Sequence, residues 1–438
     1  MPTSFRPYAP DQSLLLPPSP RDWLPEGHLA YFISETVDTL DLSAFYAPYE
    51  GDGRRNQPFD PAMMVKVLLY AYATGTFSSR RIARKLEEDV AYRVLAAGNF
   101  PAHRTICEFR QEHLKAFGEL FVQVVRIARE AGVVRMGSLV VDGSKVKASA
   151  SKHKAMSYGR MLDEERRLQG QIAELTARAA AVDAAEDAEH GPQMRGDELP
   201  AELQRREQRL SKIREAKARL EARQAEQDRQ KGRSEDDDRK SPRGGRRFAR
   251  DFGVPPDKAQ DNFTDPESRI MKTTQGFEQC YNGQIAVDEG SQMIVATSLT
   301  NNAADHDELI PLLEQAQSNL ECPPQQVLAD AGYRSEATFQ TLEARSIDAY
   351  ISVAREGKSV AISAALEATG RMAEKLASES GKRRYRRRKA VVEPVIGWIK
   401  SVLGFRHFSF RGQEKAMGEW ALVCLAVNLK RYHVLQAA

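Results

Sequence analysis

Short apolar runs alternate with helix-like periodicity in residues 136–150 and 270–438 and predict an α/β core. Because one pair of runs flanks the turn Glu289-Gly290-Ser291 and the later runs alternate with helical patterns, we predict a mixed sheet flanked by helices. The runs that predict strands lie at 139–142, about 280–287, 292–299, 326–329 and about 349–353.

Two further regions differ in pattern from this core. Residues 1–135 are predicted to be all-α after a proline-rich start, as either a helix-turn-helix DNA-binding domain or a small helical bundle. Residues 151–269 carry two heptad-spaced apolar series separated by a turn, which predict an α-helical hairpin inserted into the core. That insertion fits a dimer or DNA-contacting arm and equally a solvated arm, and its stretch 231–250 predicts a flexible basic linker. We therefore predict three domains.

The composition narrows the function classes. The 438 residues carry 64 Lys and Arg against 61 Asp and Glu, so the net charge of +3 alone favours no polyanionic partner. The four cysteines are scattered without a Cys-x-x-Cys pair, which argues against a zinc site or a disulfide framework. No secretory signal and no apolar stretch of about 20 residues is recognisable, so we expect a cytoplasmic protein.

Three carboxylates occupy positions that favour a shared site. Asp142 and Asp330 each end a short apolar run, and ligands of open α/β sheets bind beyond the carboxyl ends of such strands. Glu393 precedes Pro394, which predicts that Glu393 lies at or just before the start of the last core helix. Together they suit a pair of divalent metal ions, while turn acids that cap loops remain the alternative for the two aspartates.

The region around Glu393 also carries positive charge. Lys400 lies two turns further along and faces the same way as Glu393, which suits a lysine that steadies a phosphate. A dense basic run precedes Glu393, and we predict that it contacts DNA, the alternative being a disordered basic loop. The predicted DNA-binding residues are Arg104 and Arg110 in the helical region and Arg383, Arg384, Tyr385, Arg386, Arg387, Arg388 and Lys389 in the basic run.

One further acidic cluster has a simpler interpretation. Asp305-x-x-Glu308 resembles a capping box for the helix that begins next. Because helix capping explains the acids on both sides of His306, we prefer it to a metal site there.

The motifs around these residues resemble those of DDE transposases from bacterial insertion sequences. The resemblance is carried by Val141-Asp142-Gly143, by Leu328-Ala329-Asp330-Ala331-Gly332-Tyr333 and by Val392-Glu393-Pro394-x-x-Gly397-x-x-Lys400. The segment from Phe59 to about His113 is similar to the InsH-like N-terminal domain of that family.

The resemblance implies an RNase H-like catalytic core in which Asp142, Asp330 and Glu393 bind two Mg²⁺ ions, with Mn²⁺ as a substitute, and Lys400 assists catalysis. It further implies a homodimer that acts on terminal inverted repeats and target DNA in the bacterial nucleoid. In many relatives a Tyr-x2-Arg-x3-Glu-x6-Lys signature is present, but Tyr385 and Arg388 lie one residue too far from Glu393 to match it. Two alternatives stay open: a nuclease of the same fold without strand transfer, and a catalytically silent DNA-binding protein.

Overall fold

The computed structural model describes residues 19, 22–49, 57–190, 201–238, 248–354, 363 and 365–436. Before the core, the helices are α1 (Leu29–Asp38), α2 (Ser43–Tyr46), α3 (Pro61–Ala73), α4 (Ser79–Glu88), α5 (Val90–Leu95), α6 (His103–Glu112) and α7 (Leu114–Glu130). The strands are β1 (Ser138–Lys147), β2 (Ala155–Ser157), β3 (Gln260–Asn262), β4 (Arg269–Thr273), β5 (Gly276–Asp288), β6 (Ile294–Thr300), β7 (Gln326–Ala329) and β8 (Asp348–Ile351). The remaining helices are α8 (Tyr158–His190), α9 (Ala201–Gln230), α10 (Leu309–Leu320), α11 (Glu336–Ala344), α12 (Glu367–Ala377), α13 (Glu379–Gly397) and α14 (Gln413–Gln436).

A mixed sheet forms the centre of the core, as predicted. Its order is β4-β5-β1-β7-β8, and β6 also pairs with β5. Strand β5 runs antiparallel to β1, β4 and β6, whereas β1, β7 and β8 are parallel to one another. Because β5 has 13 residues, it accommodates both β4 and β6 along its length. The predicted strands at 139–142, 326–329 and 349–353 correspond to β1, β7 and β8, with β1 longer than predicted.

Helix α14 packs against this sheet through a close contact between an indole and a glycine. Trp420 is 1% exposed, and its Nε1 donates to the carbonyl oxygen of Gln284 at 3.3 Å. A Cβ atom added to Gly283 would lie 2.8 Å from Cε2 of Trp420, which is closer than van der Waals contact allows. Gly283 therefore lets the longest strand approach the helix closely.

The helices of the N-terminal region pack on the same hydrophobic core as the sheet. Arg110, predicted to bind DNA, is 3% exposed and donates to the Tyr72 hydroxyl at 2.8 Å and to the Phe77 carbonyl. The Tyr72 hydroxyl in turn donates to the buried carboxylate of Glu419 in α14 at 3.0 Å. Arg110 therefore does not face a surface that DNA could contact, because its guanidinium is buried among these partners. Helices α6 and α7 meet at His113.

The inserted region between β1 and β4 has a small core of its own. The long helices α8 and α9 pack together, with Met161, Leu168 and Ile213 buried between them. Strands β2 and β3 pair as a short sheet beside these helices. Arg219 and Arg223 of α9 bind the buried carboxylate of Asp261 in β3, at 2.7 and 2.6 Å. Much of the predicted basic linker, residues 239–247, lies outside the described residues.

The predicted start of the Glu393 helix is wrong. Helix α13 begins at Glu379 and contains Pro394 near its end, so Glu393 lies in the helix interior. Proline has no N–H to bond the carbonyl four residues back. The side chain of Gln292 replaces that donor, because its Nε2 lies 3.2 Å from the carbonyl oxygen of Ala390. The helix then continues as a wider π-helical turn over Trp398–Val402.

We expect Gly283→Ala to lower the free energy of unfolding by about 1–3 kcal/mol, since the added methyl group overpacks the contact with Trp420. Urea denaturation followed by circular dichroism measures this change. The matched control is Gly118→Ala in the interior of α7, where a Cβ would meet nothing within 4 Å and should stabilise the helix slightly. An equal effect of the two substitutions would contradict the packing account.

Candidate functional site

Asp142 and Asp330 lie side by side on neighbouring parallel strands. The pairing of β1 with β7 runs Ser138↔Gln326 to Val140↔Leu328, and the same offset separates Asp142 from Asp330. Asp142 sits within β1, whereas Asp330 follows the last residue of β7, where its Oδ1 accepts from the N–H of Gly332 at 2.7 Å. The parallel ladder therefore brings the first two predicted acids to one end of the sheet.

A buried arginine from α13 balances part of this negative charge. Arg388 is 8% exposed, and its Nη1 donates to Oδ2 of Asp142 at 3.1 Å. Its Nε is buried and has no hydrogen-bond partner among the described residues. Arg388 was predicted to bind DNA, and the structure instead places it against the central carboxylate.

The surroundings of Asp142 disfavour its ionised form. Burial, opposed by Arg388 and the N–H of Gly143 and assisted by the nearby carboxylates of Asp330 and Asp305, raises the pKa of Asp142 to about 6. A nearby cation stabilises the ionised form of such a buried carboxylate. Such a group is a candidate for a functional role.

Asp305 is the member of this cluster that the sequence pattern missed. Helix α10 begins at Leu309 with Glu308 before it, and no side chain caps it, so the predicted capping box is absent. Asp305 instead accepts hydrogen bonds from Asn282 and Gln284 of β5 at 2.7 and 2.8 Å. The sequence signal for Asp305 was this pair of amides two residues apart in a predicted buried strand, because buried polar groups need partners.

Glu393 does not join the two aspartates in this structure. Its side chain is exposed and forms no hydrogen bond or ion pair with any described residue. Five residues separate it from Arg388, so the two side chains point about 140° apart around the helix. Lys400, seven residues later, turns inward, and its Nζ donates to the carbonyl oxygen of Lys145 at 2.8 Å.

The basic run divides into an inward and an outward set. Arg384 donates to Glu289, to Gln326 at 3.0 Å and to Ser138 at 2.7 Å, which fixes the first part of α13 against the sheet. Arg387 also binds Glu289, at 3.1 Å. The exposed side chains of the run are those of Lys382, Arg383, Arg386, Arg387 and Lys389, and Tyr385 is half-buried. The run is therefore helical, and only part of it faces solvent.

The comparisons with known proteins identify the family. A family model described as "Transposase DDE domain" matches residues 249–429, and one described as "Transposase domain (DUF772)" matches residues 18–112. The chain is a DDE transposase of the insertion-sequence type. No curated protein and no solved structure matches it. Asp330 and Glu393 lie inside the first match, whereas Asp142 lies between the two matches, so its assignment depends on geometry.

DDE transposases use divalent metal ions, usually Mg²⁺, and act on DNA. Within the part of the chain that the structure describes, no three His, Cys, Asp or Glu side chains are close enough to form a complete metal site. The donor set nevertheless fits a hard cation, because carboxylate oxygens are the ligands that Mg²⁺ prefers. Gly332 leaves room there, since a Cβ at this position would lie 2.9 Å from Asp330 Oδ1.

A basic groove adjoins the carboxylates of the transposase. It has a volume of about 560 Å³, and its lining includes Gly143, the residue after Asp142. Its basic lining residues are Lys145, Lys147, Lys272, Lys400 and Arg406. Burial lowers the pKa of Lys400.

None of the described helices is long and apolar enough to cross a membrane.

We expect Glu289→Gln to destabilise the transposase by about 1–2 kcal/mol at pH 7, after allowance for partial solvent exposure. Hydrogen bonds from Arg384 and Arg387 lower the pKa of Glu289 to about 2. A lowered pKa contributes stability above the unfolded value of about 4.5, and the contribution is lost as the pH falls toward 2. The difference between wild type and variant should therefore shrink between pH 4.5 and 2, as measured by denaturant unfolding at several pH values.

The control is Glu379→Gln at the start of α13, whose pair with Lys382 is solvent-exposed and contributes little. A loss for Glu289→Gln that is independent of pH would contradict the ion-pair account.

Proposed function

We propose that this transposase binds its transposon ends, cleaves them and joins the free 3′ ends to target DNA through divalent metal ions held by carboxylates. The main support is that the parallel pairing of β1 with β7 brings Asp142 near Asp330, and that Gly143, the residue after Asp142, lines a basic groove. Asp142, Asp330 and Glu393 would hold two Mg²⁺ ions, with Mn²⁺ as a substitute. When bound, such ions activate the attacking oxygen and stabilise the leaving oxygen of a phosphodiester.

The described residues prepare the site in three ways. Arg388 orients the carboxylate of Asp142 and offsets its burial. Gly332 keeps the space beside Asp330 free of side-chain atoms. Helix α13 carries Glu393 five residues after Arg388, on a face about 140° away, so the end of the helix that holds Glu393 would have to turn for this side chain to complete the ligand set when DNA and metal bind. Lys400 would hold a phosphate at the edge of the groove.

The DNA backbone would follow the basic groove toward the carboxylates. Lys145 and Lys272 line it without an ion pair among the described residues, and Arg406 is exposed beside them. Of the predicted DNA contacts on α13, the exposed side chains of Arg383 and Arg386 remain available for phosphate. Arg104, on α6, is also exposed, although Glu108 binds it at 2.8 Å. Arg110 and Arg388 are left out because both are buried.

Four further proposals concern the architecture. The order β6-β5-β1-β7-β8, antiparallel on one side of β1 and parallel on the other, supports an RNase H-like core. Residues 1–135 would act as the all-α domain that recognises DNA ends, and α8 with α9 would form a helical-hairpin arm within residues 151–269. A homodimer that holds two inverted repeats near the nucleoid accounts for paired end cleavage, because a two-fold assembly matches a two-fold DNA arrangement.

We expect Asp330→Asn and Glu393→Gln each to lower end cleavage and strand transfer by at least about 100-fold while DNA affinity changes less than about threefold. The physical reason is that each amide weakens metal binding without removing a basic DNA contact. Binding is measured by gel shift on DNA that carries the transposon ends, and cleavage and joining are measured separately on the same DNA.

Pre-cleaved ends separate the transposase from a nuclease that cannot join strands, since only the transposase yields joined product from them. The control is Glu379→Gln, an exposed acid at the far end of α13, which should leave both steps unchanged. Cleavage at the wild-type rate by Asp330→Asn would contradict the assignment.

A further inference from the structure

The carboxylate of Asp305 lies between the two glycine-containing motifs of the site. A Cβ added to Gly143 would lie 2.8 Å from Asp305 Oδ1, and one added to Gly332 would lie 3.0 Å from Asp305 Oδ2. Both distances are shorter than van der Waals contact allows. The glycines after Asp142 and Asp330 therefore make room for the same third aspartate.

Buried amides fix the orientation of this carboxylate. Asn282 and Gln284, which are 1% and 0% exposed, both donate to its Oδ1, at 2.7 and 2.8 Å. The Tyr333 hydroxyl donates to the Oε1 of Gln284, so the Nε2 of that amide must point toward Asp305. Tyr333 belongs to the motif that begins with Asp330. The network thus ties Asp305 to both β5 and the Asp330 motif.

The two buried amides need an acceptor, but an uncharged oxygen would serve them, so they do not account for the negative charge of Asp305. Asp305 caps no helix, and it forms no ion pair with a basic side chain among the described residues. Its Oδ2 instead faces Gly332, on the side where Asp330 Oδ1 lies 2.9 Å from the same Cβ position. A carboxylate held near two others is unfavourable unless a cation compensates for it.

We propose that Asp305 is a positioning residue of the transposase site, whose fixed negative charge beside Asp142 and Asp330 strengthens the binding of a divalent cation by those two acids. The inference rests on the proposed function, since it requires that Asp142 and Asp330 bind the cation. Asp305 uses Oδ1 for the amides of β5, and it acts on the cation through its charge. Removal of a supporting group of this kind weakens metal binding by about 10–100-fold.

The test is Asp305→Asn, with Mn²⁺ affinity measured by calorimetric titration of the metal-free protein without DNA. Asparagine keeps an oxygen that accepts from Asn282 and Gln284, removes the charge and replaces Oδ2 with an amide NH2 group. We expect an affinity at least about tenfold weaker than that of the wild type. The matched control is Asp307→Asn, which removes the same charge from the same loop at an exposed side chain and should change the affinity less than twofold.

Thermal unfolding of the metal-free proteins is the second readout. A charge role predicts that Asp305→Asn is at least as stable as the wild type, because one repulsive carboxylate is gone. Unchanged Mn²⁺ affinity, equal weakening by Asp307→Asn, or weaker binding that accompanies a large loss of stability would each overturn the inference. Asp330→Asn separates it from the proposed function: if wild type and Asp330→Asn bind Mn²⁺ alike, the proposed function fails, whereas unchanged binding by Asp305→Asn alone removes only the role of Asp305.

Discussion

Repulsion among the carboxylates at one end of the central sheet is the constraint on which the rest of the site depends. The parallel pairing of β1 and β7 brings Asp142 beside Asp330, and Asp305 approaches both of the glycines that follow them. Burial and these neighbours raise the pKa of Asp142 to about 6. The fold must supply positive charge and hydrogen-bond donors at this point, and α13 and β5 supply them.

Helix α13 supplies the positive charge, and contacts at several points along it hold it against the sheet. Arg384 and Glu289 anchor its beginning, Arg388 meets Asp142 at its middle, and Lys400 follows after its end. The interior Pro394 is accommodated because Gln292 bonds the carbonyl of Ala390. The basic run of α13 therefore has two roles. Its inward side chains neutralise acids, and its outward side chains remain available for phosphate.

Strand positions were predictable from the sequence because buried strands show as short apolar runs, and 139–142 and 326–329 correspond to β1 and β7. The proximity of Asp142 and Asp330 was expected from two acids at strand ends, although Asp142 lies within β1, which continues to Lys147. The start of α13 was not predictable, because the donor that replaces the missing N–H of Pro394 comes from Gln292, about a hundred residues earlier. Asp305 was missed for a related reason. Its partners lie on another strand, and its local pattern matched a helix cap. The burial of Arg110 was also not predictable, because no sequence pattern distinguishes a buried arginine from one on a DNA-binding face.

The most direct test of the shared cation site is the anomalous diffraction of Mn²⁺ in crystals of the transposase grown with DNA ends. We expect a manganese peak about 2.1 Å from carboxylate oxygens of both Asp142 and Asp330, with Glu393 turned toward the same site. A complex in which manganese binds elsewhere, while Arg388 alone occupies the position beside Asp142, would contradict it.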